Sequence, residues 1–163
     1  MKNVLLVLSL IVSFQANAQL KMVDSYYQFQ KITNVQRTHA ELFDTGVEWA
    51  KQLAEDTQQE IRLDQKSVIM WVEVPYHFDT KHSKFLFEYT LEFGEGWYQE
   101  KVSQIQFQTE GKAYGLGDEA LPEKKRVISE ASFSINMLSD SLLSKMYDTV
   151  YSQECNQVHL EAK

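Results

Sequence analysis

The chain has 163 residues, a formal net charge of −7 and a single cysteine, Cys155. That length suits one domain, and the acidic balance argues against nucleic acid as a partner, since the densest basic run, Lys124-Lys125-Arg126, lies beside Glu123. One cysteine cannot form an internal disulfide, so stability has to come from burying nine Phe, eight Tyr and three Trp.

Residues 1–18 read as a signal peptide. Lys2 supplies a positive start, Val4 to Phe14 is an uncharged apolar run, and Ala16-Asn17-Ala18 is a small-x-small cleavage site. The run falls well short of the ~20 residues of a permanent membrane span. The expected product is one α+β domain over residues 19–163, secreted or periplasmic, with no stable membrane insertion after cleavage. No Cys follows the cleavage site, so the handle for a lipid anchor is missing.

Tyr26 to Ile32 predicts a first strand. Thr38-His39-Ala40-Glu41 is a capping box. The helix it opens gathers Leu42, Phe43, Gly46, Val47, Trp49, Ala50, Leu53 and Ala54 on one face, with Asp44, Glu48, Lys51, Gln52 and Glu55 opposite. The period then changes to two. Val68, Met70, Val72, Val74, Tyr76 and Phe78 alternate with more polar neighbours, as do Phe85, Phe87, Tyr89, Leu91 and Phe93. After Gly94-Glu95-Gly96, Ser103, Ile105 and Phe107 alternate with Gln104, Gln106 and Gln108. A further alternation, Val127, Ser129, Ala131, Phe133, Ile135 and Met137, predicts a last strand.

The short connections at Asp79 to Ser83 and Gly94 to Gly96 suit antiparallel hairpins. Thr109 to Lys125 is a longer, Gly-containing loop and the prime position for a functional loop. A second helix is expected from Ser139, its apolar face made by Leu142, Leu143, Met146, Tyr147 and Val150, fraying after Ser152. The expected fold class is α+β: a one-faced antiparallel sheet of about five strands covered by two helices, ordered β-α-β-β-β-β-α.

Three segments carry a resemblance: Glu41-Leu42-Phe43 with Trp49-Ala50, the charged turn Asp64-Gln65-Lys66 before Val68 to Val74, and Glu95-Gly96-Trp97-Tyr98. Together they resemble a family of small secreted bacterial domains of unknown function with a TATA-binding-protein-like fold. The likeness covers residues 26–108, with Ser67 and Val68 standing where the family pattern has glycines. It implies a fold and an exported bacterial setting, and carries over no catalytic residue.

Several constellations have a chemical reading. His77, Asp79 and His82 surround a hairpin tip and are the best metal-ligand set, with Glu73 within reach along the strand. Such a set would suit a metal-dependent hydrolase. The spacing is equally that of a polar turn. Glu73, Glu88 and Glu92 fall on outward strand positions, where paired carboxylates can serve glycoside hydrolysis but are more often solvated. Gly115-Leu116-Gly117-Asp118-Glu119-Ala120 matches a dinucleotide fingerprint by letters, yet its acidic pair and Pro122 make a poor phosphate cradle. Cys155 has only His159 nearby. No cofactor is implied.

Ile69, Trp71, Leu86 and Ile128 fall on the predicted polar face and together suggest an interaction patch for a protein partner or a second copy. Phe87, Tyr89, Phe107 and Phe133 would line any apolar cavity between helix and sheet. The leading functional expectation is therefore an exported, non-catalytic binding or interaction domain. A carrier of a small hydrophobic ligand and a metal-dependent hydrolase are the alternatives.

Overall fold

The computed structural model describes residues 20–57, 59–77 and 82–160, with the side chains of 56, 57 and 148–160 outside that description. Residues 1–18, read above as a signal peptide, Gln19 and the tip residues Phe78, Asp79, Thr80 and Lys81 lie outside the described residues, as do the side chains of Cys155 and His159. The elements are β1 (Lys21–Val23), β2 (Tyr26–Asn34), α1 (His39–Thr57), β3 (Ile61–Leu63), β4 (Ser67–Pro75), β5 (Lys84–Gly94), β6 (Trp97–Thr109), β7 (Lys112–Gly115) and α2 (Lys124–Leu160). Among the described residues no helix is long and apolar enough to cross a membrane.

The capping box forms as its residue types require. The Thr38 amide donates to Glu41 Oε2 at 2.9 Å, and the Glu41 amide donates to Thr38 Oγ1 at 3.4 Å. Strand alternation in β4 and β5 is equally faithful: Val68, Met70 and Val72, and Phe85 through Phe93 in steps of two, are all buried.

The strands form one antiparallel sheet in the order β1-β2-β6-β5-β4-β3, with β7 also paired to β6. Among the described residues its seven strands exceed the expected five: four of the expected strands form, and β1, β3 and β7, too short to announce themselves by alternation, are added. Strand β5 takes one flank of β6 along almost its whole length, from Lys84↔Gln108 to Gly94↔Trp97. The other flank is shared. Strand β2 covers it from Asn34↔Trp97 to Phe29↔Val102, and β7 covers it from Gln106↔Gly115 to Thr109↔Lys112. Ser103, Gln104 and Ile105 fall between these two ladders.

Both helices contribute to the core over one sheet face. Leu42, Trp49 and Ala50 come from α1, and Val127, Ala131, Ile135, Leu142 and Met146 from α2. The fit of α1 against β5 is close: a Cβ on Gly46 would stand 2.3 Å from the Phe93 ring. The aromatic residues pack on one another, Tyr76 against Phe107 with ring centroids 5.1 Å apart and Trp49 against Tyr89 at 5.5 Å.

The expected strand at Val127–Met137 is helical. Helix α2 begins at Lys124 rather than Ser139 and runs past Ser152 to Leu160. The reason lies in the arithmetic of the two periods. Val127, Ala131 and Ile135 are spaced by four, which satisfies a helix face and a strand face alike. The positions between them decide: Phe133 is 58% exposed and Met137 56%, whereas Glu130, Ser134 and Ser139 are buried. No Gly or Pro follows Pro122 before Leu142 to interrupt the helix.

Candidate functional site

Strand β6 carries two polar regions separated by a β-bulge. Opposite β5, Leu86 pairs with Gln106 and Glu88 with Ser103, so β6 holds one residue more than its partner in this interval. Gln104 takes up the excess at φ 54, a left-handed conformation that L-residues rarely adopt. The inward phase changes across it. Before the bulge Tyr98, Glu100 and Val102 are buried, and after it Ile105 and Phe107 are. Ser103, expected in the apolar phase, instead turns to the outer face, where its hydroxyl donates to Glu88 Oε1 at 3.4 Å.

The first region is a sealed polar cluster. Glu100 is completely buried between the sheet and α2. The Tyr89 hydroxyl donates to its Oε2, and Ser139 Oγ donates to its Oε1 at 2.9 Å. Lys31 Nζ donates to Ser139 Oγ at 2.8 Å and lies 4.0 Å from Glu100 Oε1. Burial raises the Glu100 carboxyl above its usual range, opposed by the hydrogen bond from Tyr89, the Lys31 charge and the hydrogen bond from Ser139. Burial, followed by the neighbouring Glu100 charge, lifts the Tyr89 hydroxyl well above its ordinary value. Such a carboxyl would suit proton transfer if a substrate could reach it. Glu100 and Tyr89 have no exposed surface and Ser139 is 1% exposed, so the cluster holds the core together and offers no reacting surface.

The second region is an open notch. Between the ends of β2 and β7 the flank of β6 opens into a cavity of about 500 Å³. The β1–β2 turn and the start of β2 form one wall, with Ser25, Tyr26, Tyr27 and Gln28. The β7 end and following turn form the other, with Tyr114 and Leu116 to Asp118. Ser103 to Gln106 form the floor. The walls are built tightly. A Cβ on Gly117 would meet the Ser25 carbonyl oxygen at 2.5 Å, so only glycine lets the turn and loop approach. Asp118 Oδ2 accepts from the Gly115 amide at 2.7 Å, and Lys124 Nζ donates to the Gly117 and Asp118 carbonyls at 2.8 and 3.0 Å. The Gly115–Ala120 letters thus form a braced turn rather than a strand-to-helix phosphate cradle. Ser25 (φ 72) and Asp24 (φ 47) join Gln104 in left-handed backbone around the notch.

The residues singled out from sequence are distributed unevenly. Ile69 and Trp71 on β4 and Leu86 on β5 share the outer sheet face, half-buried, with Trp71 opposite Glu88 and Glu73 opposite Leu86. Ile128 does not join them. It is on α2, packed against the core, because its segment is helical. Phe87, Tyr89 and Phe107 are buried within the packed core, while Phe133 stands exposed on the outer side of α2 and cannot line a space between helix and sheet. Glu73 accepts from Lys84 Nζ at 2.7 Å. Among the described residues no three His, Cys, Asp or Glu side chains gather as metal ligands. His77 and His82 are exposed, and Asp79 lies outside the described residues.

Glu100 and the notch tyrosines went unmarked by motif. The alternation Tyr98-Glu100-Val102 against Gln99 and Lys101 does place a carboxylate in an apolar phase. The notch had no such signal, since its walls come from three separated segments.

The architecture is that of TATA-binding-protein-like domains. A TBP-like protein from Parabacteroides distasonis ATCC 8503 superposes with a TM-score of 0.70 at 14% identity, over 78% of this chain and 97% of that one. A DUF4468 family protein from Bacteroides ovatus ATCC 8483 superposes with a TM-score of 0.58, also at 14% identity, over 78% of this chain and 88% of that one. The fold is thus the one seen in small bacterial domains of unknown function, as the sequence resemblance implied. No protein-family model matches the chain, and no curated protein matches it.

Proposed function

We propose that this is an exported, non-catalytic binding domain that holds a small ligand in the notch between β2, β6 and β7. The observation that carries the reading is the notch itself: about 500 Å³, open, tyrosine-lined and bounded by braced turns. That volume lies in the range of small-molecule sites. The sealing of Glu100 supports a binding role over a catalytic one, because a carboxyl that burial raises is out of reach of any substrate. Export rests on the signal-like segment at 1–18. The test is amide chemical-shift mapping of the purified chain against a set of small organic fragments. Shifts gathered at residues 25–28, 103–106 and 113–118 are expected, and shifts gathered elsewhere or nowhere would overturn the reading. Export predicts a mature mass beginning at Gln19, and recovery of chains beginning at Met1 would overturn it.

A second reading, self-association through the outer sheet face, is favoured by Ile69, Trp71 and Leu86 standing together on adjacent strands. Trp71→Ser should then shift sedimentation from dimer to monomer with the melting temperature nearly unchanged. A wild-type chain that sediments as a monomer at all concentrations would end this reading.

A further inference from the structure

The chemistry of the notch lining restricts its ligand further. We infer that it takes a neutral saccharide of one or two rings, an inference that rests on the notch being a binding site. Three tyrosines line it, Tyr26 exposed and Tyr27 and Tyr114 also packed against the core, together with the polar residues Ser25, Gln28, Gln104 and Gln106, while the Ser103 hydroxyl on the floor is engaged with Glu88. No Lys or Arg does. An anionic ligand would therefore enter without a counter-charge, into a chain of net charge −7.

A purely apolar ligand would match the larger, apolar part of the lining, Ile105 and Leu116 included, but not the polar groups beside it. Each amide or hydroxyl that it covers loses water without gaining a partner, at about 1–3 kcal/mol per group. A quaternary organic cation gains the charge of Asp118, which persists while that carboxylate accepts from the Gly115 amide at 2.7 Å, yet it brings no hydrogen-bonding groups and leaves the same amides and hydroxyls without partners. What remains is a neutral ligand that carries many hydrogen-bonding groups and also an apolar face.

An extended peptide has the groups but not the shape. The uncovered stretch of β6 is Ser103 to Ile105, about 10 Å of strand, and the ladders of β2 and β7 close it at both ends. A compact ring enters where a through-running strand collides. A sugar ring presents weakly positive C–H groups on its faces, which suit the negative faces of tyrosine rings, while its hydroxyls meet the glutamine and serine groups. Tyr26, 71% exposed at the rim, is placed as the stacking platform.

The test titrates the purified chain with glucose, galactose, N-acetylglucosamine, lactose and maltose to about 50 mM, a range that reveals millimolar affinities. At least one of them should shift the amides of residues 25–28, 103–106 and 113–118. Tyr26→Ala should weaken that binding by about tenfold, the equivalent of one lost stacking contact, with circular dichroism and melting temperature unchanged. Trp71→Ser should leave it intact. The inference is overturned if no sugar shifts these amides, if binding survives Tyr26→Ala undiminished, or if tetramethylammonium binds the notch more tightly than every sugar. Fragments seen in the notch without any sugar would reject the ligand class and leave the binding role standing. Neither fragments nor sugars there would reject both.

Discussion

Up to Val102, β6 lies between β2 and β5 and turns Glu100 into the layer beneath α2, where Tyr89, Ser139 and Lys31 surround it. From Ser103 to Gln106 the same strand lines an open cavity of about 500 Å³. One strand thus holds a polar cluster closed by its own protein and another left open. A perturbed titratable group is therefore not by itself a site. Glu100 has a carboxyl raised by burial and no access, while the notch residues have access and almost no charge. Internal partners make the first a structural device, and among the described residues no element covers the second, which leaves it the shape of a ligand site.

The sharpest way to separate the halves is to break the closed one. Tyr89→Phe removes a hydrogen bond to a buried carboxylate and should lower stability by about 2 kcal/mol at neutral pH, measured by urea unfolding, with fragment and sugar shifts at the notch preserved. A variant that unfolds no more easily would show that Glu100 finds another donor.

The second effect is one of pH. Because burial raises the Glu100 carboxyl in the folded state, the folded chain holds that proton to higher pH than the unfolded chain does. The contribution of this group is therefore greatest below the ordinary glutamate range, and is lost as pH rises from there through the raised folded value. Glu100→Gln does not titrate. The stability of the variant relative to wild type should increase with pH across this window, read from urea midpoints at successive pH values. A constant difference would show that the fold does not hold the proton.

The smallest effect belongs to the open half. Gln104→Gly relieves a left-handed residue that costs about 1 kcal/mol, but loosens the unfolded chain by a similar amount. Stability should change by no more than about 0.5 kcal/mol, while sugar binding falls severalfold with the loss of the floor amide. A large destabilisation would mean that the Gln104 side chain supports the bulge rather than the ligand.

Much of the fold was legible in the chain. The capping box of α1, the alternation of β4 and β5 and the hairpin turn at Gly94-Glu95-Gly96 are local signals, each set by a few adjacent residues, and each forms as read. The segment Val127–Met137 misled because spacing by four belongs to both periods, and only its packing beneath the sheet distinguishes exposed Phe133 from buried Ile135. That error displaced Ile128 from the outer face and Phe133 from the core. Ile69, Trp71 and Leu86 kept their predicted face because β4 and β5 pair in an unbroken register from Ser67↔Glu92 to Pro75↔Lys84.

Local signals in the chain specify an α+β fold without internal disulfides, because burial pattern, capping and cysteine count are properties of neighbouring residues and of composition. The sealing of Glu100 and the meeting of Tyr26, Tyr27 and Tyr114 around one notch come instead from the arrangement of the strands. Both depend on where β2 leaves β6, where β7 joins it and how the bulge at Gln104 shifts the inward phase. These relations bring together segments nearly ninety positions apart in the chain, and no local periodicity encodes them.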